Sequence, residues 1–134
     1  MKLTAKSEYA CLALIDLSMN FEKGLRTIGD IAERRHIPKK FLEQILLTLK
    51  RAGYVKSRKG ADGGYELAKP PSEISVAEIV RLMDGALAPV ESVSEYFYEP
   101  TPIEQNRELV KLFREIRDYI SDKLEKTTFA RLIS

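Results

Sequence analysis

Two short amphipathic stretches, separated by only three residues, constrain the fold of this chain more than any other feature of its sequence. The first stretch opens on Thr27 and Asp30, which form a capping pair, and residues 28–32 carry a narrow apolar stripe. The break, His36-Ile37-Pro38, ends in a proline that suits the first position of a new helix. So close a junction predicts two helices that pack at a steep angle, which pushes the second one out as a ridge.

The stretch after this break predicts a helix that runs from Pro38 to about Ala52. Its inner face carries apolar residues at helical spacing: Phe41, Leu42, Ile45, Leu46 and Leu49. Its outer face is polar and mostly charged: Lys39, Lys40, Glu43, Gln44, Thr48 and Arg51. Gly53 follows where the cap of a helix C-terminus is expected.

The hydrophobic period then changes from that of a helix to that of a strand. Residues 54–58 and 64–68 predict two short strands, and the loop 59–63 between them is rich in glycine, as a hairpin requires. Residues 4–20 predict a first helix that is apolar on almost every side and therefore buried. Helix, short helix, turn, helix and hairpin is the order of a winged helix-turn-helix domain, whose second short helix fits a DNA major groove.

The second half of the chain predicts a long helix behind a linker. Ser75 and Glu78 form a capping box that opens a fourth helix, which ends near Gly85. Residues 86–102 contain three prolines and three glutamates but no basic residue, which indicates a linker. Residues 103–125 then repeat apolar side chains at steps of three or four, and so wide a stripe must be buried against something.

The predicted fold class is mostly α with a small β-hairpin. Three segments are expected: a winged helix-turn-helix DNA-binding domain over 1–85, a linker over 86–102, and a long dimerisation helix with a C-terminal segment over 103–134.

Charge and composition narrow the functional classes. Residues 1–70 hold 14 Lys/Arg against 8 Asp/Glu, a net charge of +6, whereas residues 71–134 hold 8 against 12, a net charge of −4. A basic first half favours a polyanionic partner.

The single cysteine, Cys11, excludes an internal disulfide and argues against a cysteine-ligated metal site; it is expected to be a small core residue in a reducing cytoplasm. The sequence shows no nucleophile–base set, no phosphate-binding loop and no apolar run long enough to span a membrane, so neither an enzyme nor a membrane protein is predicted.

Four stretches of the sequence carry a resemblance to a known family: residues 1–10 (MKLTAKSEYA), 37–46 (IPKKFLEQIL), 49–55 (LKRAGYV) and 58–67 (RKGADGGYEL). With the ending TTFARLI at 127–133, the chain resembles the Rrf2 family of bacterial transcription regulators over nearly its whole length. The resemblance implies a homodimer in which the long C-terminal helix crosses its partner. It further implies that two recognition helices face successive major grooves of a near-palindromic, double-stranded DNA operator, most often to repress transcription.

Many members of this family hold an iron–sulfur cluster on three cysteines between the fourth helix and the dimerisation helix. Residues 86–106 of this chain contain no cysteine. Ser92 lies near the place of the first family cysteine, and Glu8 lies near an acidic position that some members use as an extra ligand. Because carboxylates and hydroxyls replace thiolates poorly on such clusters, the sequence favours the cluster-free, CymR-type branch. We therefore expect no metal and no cofactor, with an unidentified small molecule or partner protein as the signal.

Positions on the motif assign roles to single side chains. Gln44 can pair with adenine, Glu43 can accept a hydrogen bond from the cytosine amino group, and Lys59 matches a basic wing residue that the family sends into the minor groove. The predicted DNA-binding set is Lys2, Lys6, Thr27, Lys39, Lys40, Phe41, Glu43, Gln44, Ser57, Lys59, Gly60, Gly63, Gly64 and Tyr65. The predicted dimerisation set is Leu109, Phe113, Ile116, Ile120 and Leu124.

Plainer interpretations stay open beside these. The charged face of the second short helix could be an ordinary solvated surface, Thr27 could only cap, the wing glycines could only make a turn, and Phe41 could belong to the core. At the level of function, the alternative is a regulator that binds a partner enzyme through the same fold, with weak or lost DNA binding.

Overall fold

A computed structural model describes all residues, 1–134, and confirms a mostly helical chain with one small antiparallel hairpin. Its helices and strands, in chain order, are α1 (Ala5–Met19), α2 (Ile28–Arg35), α3 (Lys39–Arg51), β1 (Val55–Arg58), β2 (Gly64–Leu67), α4 (Val76–Asp84), α5 (Arg107–Lys126) and α6 (Phe129–Leu132). Short 3-10 turns cover residues 71–73, 91–93 and 102–105. No helix combines the length and the apolar character needed to cross a membrane.

The core forms around α1 and α3. The predicted inner face of α3 is confirmed, since Leu42, Ile45, Leu46 and Leu49 have no exposed surface. Helix α1 buries residues around most of its circumference, as its apolar sequence predicts. Each fully buried leucine or isoleucine of this kind contributes about 1.5–3 kcal/mol relative to an exposed one.

The junction between α2 and α3 is as tight as the sequence predicts. His36 ends α2 in the left-handed region, with φ of 54°, and its backbone N–H returns to the Ala32 carbonyl. Ile37 is buried and so anchors the turn on the core. Pro38 lies one position before the helix rather than at its first residue, because its ψ of 125° is extended.

The hairpin is a two-stranded antiparallel ribbon in which Ser57 pairs with Tyr65 and Arg58 with Gly64. Glycine is required at two positions of the hairpin, because a side chain there would collide with neighbouring backbone atoms. A Cβ at Gly63 would lie 2.2 Å from the Arg58 carbonyl oxygen, and one at Gly64 would lie 2.6 Å from the carbonyl oxygen of Arg26. The base of the hairpin therefore packs directly on the backbone that leads into α2.

The end of the chain returns to the N-terminal part of the molecule. Phe129 is fully buried in the same core as α1 and α3, and its backbone N–H donates to the Ile74 carbonyl at 3.0 Å. The C-terminal segment is thus attached to the predicted DNA-binding domain, a link that the sequence pattern does not reveal.

Helix α5 begins at Arg107, four residues after the predicted start. Residues 102–105 form a 3-10 turn instead, and the Asn106 side chain accepts a hydrogen bond from the Leu109 N–H at 2.9 Å, which caps the helix. None of the 20 residues of α5 is buried. Its C-terminal end is held to α4 by Leu124, which packs on Ala77 and Val80.

Candidate nucleic-acid interface

The outer face of α3 presents an uninterrupted row of exposed polar side chains. Lys39, Lys40, Glu43 and Gln44 are all exposed, and none of them takes part in a salt bridge. Residues 40, 43 and 44 are neighbours on one side of the helix, because side chains three and four positions apart share a face. This side of α3 offers ammonium donors for phosphates and guanine, a carboxylate for cytosine and an amide for adenine.

Two apolar residues border this row. Leu47 is 45% exposed and continues the same face one turn further on. It is not among the residues predicted from the sequence, because only polar side chains were expected to contact base edges. A side chain of this type can contact the methyl group of thymine. Phe41 is half-buried, and its ring meets the Tyr9 ring edge-on with 5.5 Å between centroids. Phe41 thus packs on Tyr9 while part of its ring stays exposed at the edge of the predicted interface, and its role as a DNA contact stays a prediction.

The hairpin projects as a wing with an exposed basic tip. Lys59 and Gly60 are exposed, as is Arg58 at the end of β1, and neither cation has a salt-bridge partner. By contrast, Lys56 on the same strand is paired with Glu66 at 3.2 Å. Arg58 was not among the predicted contacts, although it stands in the same RKG sequence as Lys59 and is equally free to meet a phosphate.

Ser57 and Tyr65 lie lower on the wing and are half-buried. The backbones of Tyr65 and Arg26 exchange two hydrogen bonds, of 2.9 and 2.8 Å, which dock the wing on the residue before Thr27. Thr27 is exposed and caps α2 as predicted, since its Oγ1 accepts from the Asp30 N–H at 3.1 Å. The structure thus brings the start of α2 and the base of the wing together.

The N-terminal lysines occupy a different neighbourhood. Lys2 lines a surface cavity with Asp84 and Ala88 at the end of α4, and the Met1 ammonium donates to the Ala88 carbonyl at 2.7 Å. Thr4 stands at the N-cap of α1, but its hydroxyl donates to Asp84 at 2.6 Å and makes no cap hydrogen bond to the helix.

Lys6 is half-buried and lies in the same neighbourhood as Lys2. Burial would raise the pKa of Asp84, but hydrogen bonds, among them those from Thr4, and the charge of Lys6 outweigh it and hold this pKa below its usual range. No salt bridge joins Lys2 or Lys6 to α3 or to the wing.

A short helix, a tight turn, an exposed second helix and a basic wing define a winged helix-turn-helix regulator. The chain matches the Rrf2 family, described as "iron-dependent transcriptional regulator", over residues 3–134. It belongs to this family of transcription regulators, whose members are not enzymes.

Individual relatives cover most or all of the chain. It is 33% identical to the HTH-type transcriptional regulator CymR of Bacillus subtilis over 134 residues, which are 100% of this chain and 91% of that protein. The protein rrf2 of Nitratidesulfovibrio vulgaris is 40% identical over 95 residues, which are 71% of this chain but only 63% of that protein.

Solved structures agree with the sequence relatives. The structure of CymR, the global cysteine regulator of B. subtilis, superposes with a TM-score of 0.81 at 30% identity, covering 99% of this chain and 96% of that one. The structure of T. potens IscR gives a TM-score of 0.77 at 28% identity, covering 99% and 86%. The predicted fold and family are thereby confirmed.

The family description implies iron, and the donor set of this chain does not fit an iron–sulfur cluster. No group of three or more His, Cys, Asp or Glu side chains comes together in the structure. The segment near Ser92 offers hydroxyls and the Glu104 carboxylate but no thiol. Cys11 stands in α1, where burial first and the Asp84 charge second raise the pKa of its thiol to about 11. It is a protonated thiol at neutral pH, as expected of a core residue rather than a reactive one.

Proposed function

We propose that this protein is a homodimeric, sequence-specific DNA-binding regulator that represses transcription from a near-palindromic operator. The observation that carries this proposal is the unpaired polar face of α3 beside the unpaired basic tip of the wing. Both surfaces consist of side chains that would gain charged or polar partners from a duplex and have none within the chain.

In this proposal Glu43 and Gln44 read base edges in the major groove, and Leu47 adds an apolar contact. Lys59 and Arg58 approach the phosphates beside the narrow groove. Five more of the predicted contacts position the protein on the DNA backbone: Lys2, Lys6, Thr27, Lys39 and Lys40. Lys2 and Lys6 are the least supported of these, because both lie near Asp84 at the end of α4.

The homodimer is supported by the apolar stripe of α5. Leu109, Leu112, Ile116 and Tyr119 are between 38% and 72% exposed, and they follow one another at helical spacing on one face. Phe113 and Ile120 border this strip on the side where α5 packs on its own chain, and both are half-buried. A contiguous apolar strip of this length is uncommon on a monomer, and a second copy of α5 would cover it.

The test is a titration of duplex DNA taken from upstream of the protein's own gene and of its neighbours, with a random duplex of the same length as control. We expect binding to one duplex at least a thousandfold tighter than to random DNA, which is the low end of specific recognition. Two protected half-sites about 34 Å apart would identify the operator of a two-fold dimer. Equal affinity for all duplexes would contradict the proposal.

Repression is tested in cells with a reporter placed behind that operator. Expression should rise when the wild-type protein is replaced by a Glu43→Ala, Gln44→Ala double variant that still dimerises. A fall in expression on the same replacement would make the protein an activator.

One observation favours a protein partner as a second, alternative function. Tyr96, Phe97 and Tyr98 are 46–67% exposed in a segment that also carries Glu95 and Glu99. Three consecutive exposed aromatic side chains are typical of an interaction surface. If the titration shows no DNA preference, replacing these three aromatics by Ser is the next variant, and loss of a co-purifying protein would support the alternative.

A further inference from the structure

A single buried carboxylate, Asp16 of α1, is held by three arginines from the helix-turn-helix motif. The Asp16 side chain has no exposed surface. Arg34 approaches it with Nε at 2.8 Å and Nη2 at 3.2 Å, Arg35 with Nε at 3.0 Å, and Arg26 with Nη1 at 3.0 Å. Burial alone would raise the pKa of Asp16, but the hydrogen bonds from Arg34, Arg26 and Arg35 outweigh it and hold this pKa below its usual range.

Two of these arginines fix the end of α2. Arg34 and Arg35 are its last two residues, and His36 follows directly as the start of the turn that leads into α3. The contacts with Asp16 therefore hold the turn, and with it the start of the recognition helix, at a set place on α1.

The third arginine fixes the wing. Arg26 donates from Nη1 to the backbone carbonyl of Asp16 at 2.8 Å as well as pairing with its carboxylate. The backbone of the same residue pairs with Tyr65 on β2 through two hydrogen bonds, and Gly64 leaves room for its carbonyl. The wing is thus attached to α1 by one residue whose side chain ends on Asp16.

We propose that Asp16 is a positioning residue for DNA recognition, which locks the wing and the recognition helix in one relative placement through Arg26 on one side and Arg34 and Arg35 on the other. The inference rests on the proposed DNA-binding function. It assigns a role in recognition to a residue that cannot itself touch DNA, since it is buried.

The structure supplies a matched pair of variants for the test. Arg26→Met removes the side chain that links the wing to Asp16, and Arg34→Met removes a side chain that links only α2 to it. Each change deletes one guanidinium from the same carboxylate and leaves two in place, so both variants are expected to fold. Asp16→Asn removes the charge that all three arms share and is the more disruptive third variant.

The measurement is a double-mutant cycle in which each variant is combined with Lys59→Ala at the wing tip and titrated on the operator. In the wild-type background Lys59→Ala should weaken binding by roughly tenfold, as loss of a charged contact does. In the Arg26→Met background the same change should cost less than about threefold, because the displaced wing no longer delivers Lys59. In the Arg34→Met background it should again cost about tenfold.

A merely structural role for Asp16 would give a different pattern. If Lys59→Ala costs the same factor in the Arg26→Met and Arg34→Met backgrounds, the wing does not depend on this arm and the proposal is overturned. Amide hydrogen exchange gives an independent readout: the Arg26 and Tyr65 amides should exchange at least tenfold faster in Arg26→Met and at the wild-type rate in Arg34→Met.

The two proposals fail in distinguishable ways. If wild-type protein does not prefer any duplex, the proposed function fails, while hydrogen exchange still reports whether Arg26 holds the wing. If wild-type protein binds its operator but the cycle is additive and exchange is unchanged, only the role of Asp16 is refuted.

Discussion

Helices α3 and α5 both have an amphipathic sequence, but their apolar faces are buried to different extents in the folded chain. The apolar face of α3 is buried against α1, α2 and β1. Helix α5 packs on α4 and on the 3-10 turns at 91–93 and 102–105, but it leaves four apolar side chains exposed: Leu109, Leu112, Ile116 and Tyr119. The pattern in the sequence says that a face must be buried, and it does not say by what. The comparison teaches that α3 is covered within its own chain, whereas the exposed apolar side chains of α5 are what the proposed dimer would cover.

The strongest way to break this comparison is to put charge on the uncovered face. Replacing Phe113 and Ile116 together by Asp would set four carboxylates in the proposed dimer interface, at a cost above roughly 5 kcal/mol of association free energy. Light scattering should show a monomer where the wild type is a dimer. The control is Glu115→Gln and Asp118→Asn on the opposite face, which should leave the dimer intact; a wild-type monomer at micromolar concentration would contradict the prediction.

The second prediction contrasts two phenylalanines near the end of the chain. Phe129→Ala should lower the free energy of unfolding by roughly 3–5 kcal/mol, because the residue is fully buried in the core shared by α1 and α3. Phe113→Ala should lower it much less in a variant that is already monomeric. Urea unfolding of both proteins checks this, and equal losses would mean that Phe113 is also buried within its own chain.

The third prediction concerns the outer face of α3. Gln44→Ala or Glu43→Ala should each cost about 1–3 kcal/mol of operator binding free energy and relax preference at particular base pairs. Affinity for random DNA should stay nearly unchanged, since a base reader contributes little there. Parallel titration of both duplexes decides the matter, and an equal loss on both would transfer the reading role to Lys40 and Leu47.

The fourth prediction separates the wing from α3. Lys59→Ala should weaken binding to operator and random duplex together and lower the slope of log affinity against log salt by roughly one counterion per subunit. The matched control is Lys56→Ala, whose cation is already paired with Glu66 and should leave the slope unchanged. A sequence-dependent effect of Lys59→Ala would instead make the wing a reader of groove shape.

The smallest expected effect is on acid stability. Because the pKa of Asp16 is lowered in the folded chain, its stabilisation is fully present above the unfolded value, about 3.9, and is lost as pH falls through the folded value. The contribution of Asp16 to the free energy of unfolding should therefore be constant from pH 7 to 5 and decline below pH 4. Asp16→Asn should remove that part of the decline, and Asp122→Asn on α5, an exposed pair with Lys126, should not.

Local chemistry explains what could be predicted without coordinates. The capping box of Ser75 and Glu78, the cap of Thr27 and the hairpin at residues 59–63 are all present where the sequence indicates. These features depend on neighbours a few residues away, so their signals lie within a short window of sequence. The four-residue error at the start of α5 arose because Pro102 is compatible with the first turn of either a 3-10 or an α-helix.

The contacts that the sequence did not predict join residues that lie far apart along the chain. Thr4 bonds to Asp84, 80 residues away, in preference to its own helix, and Phe129 enters a core whose other members begin at Ala10. Leu47 and Arg58 were not predicted to contact DNA, because the type of a residue does not show whether its side chain is exposed in the folded chain.

The sequence by itself determined the elements, their order, the polar face of α3 and the family, because periodicity, caps and motifs are local properties. Only the tertiary structure decided that Asp16 is buried beneath three arginines, that Arg26 holds the wing, and that Leu109, Leu112, Ile116 and Tyr119 of α5 remain exposed. Each of these depends on which surfaces meet after the chain has folded back on itself, and an acidic residue in an apolar helix gives no sign of the cations that will surround it.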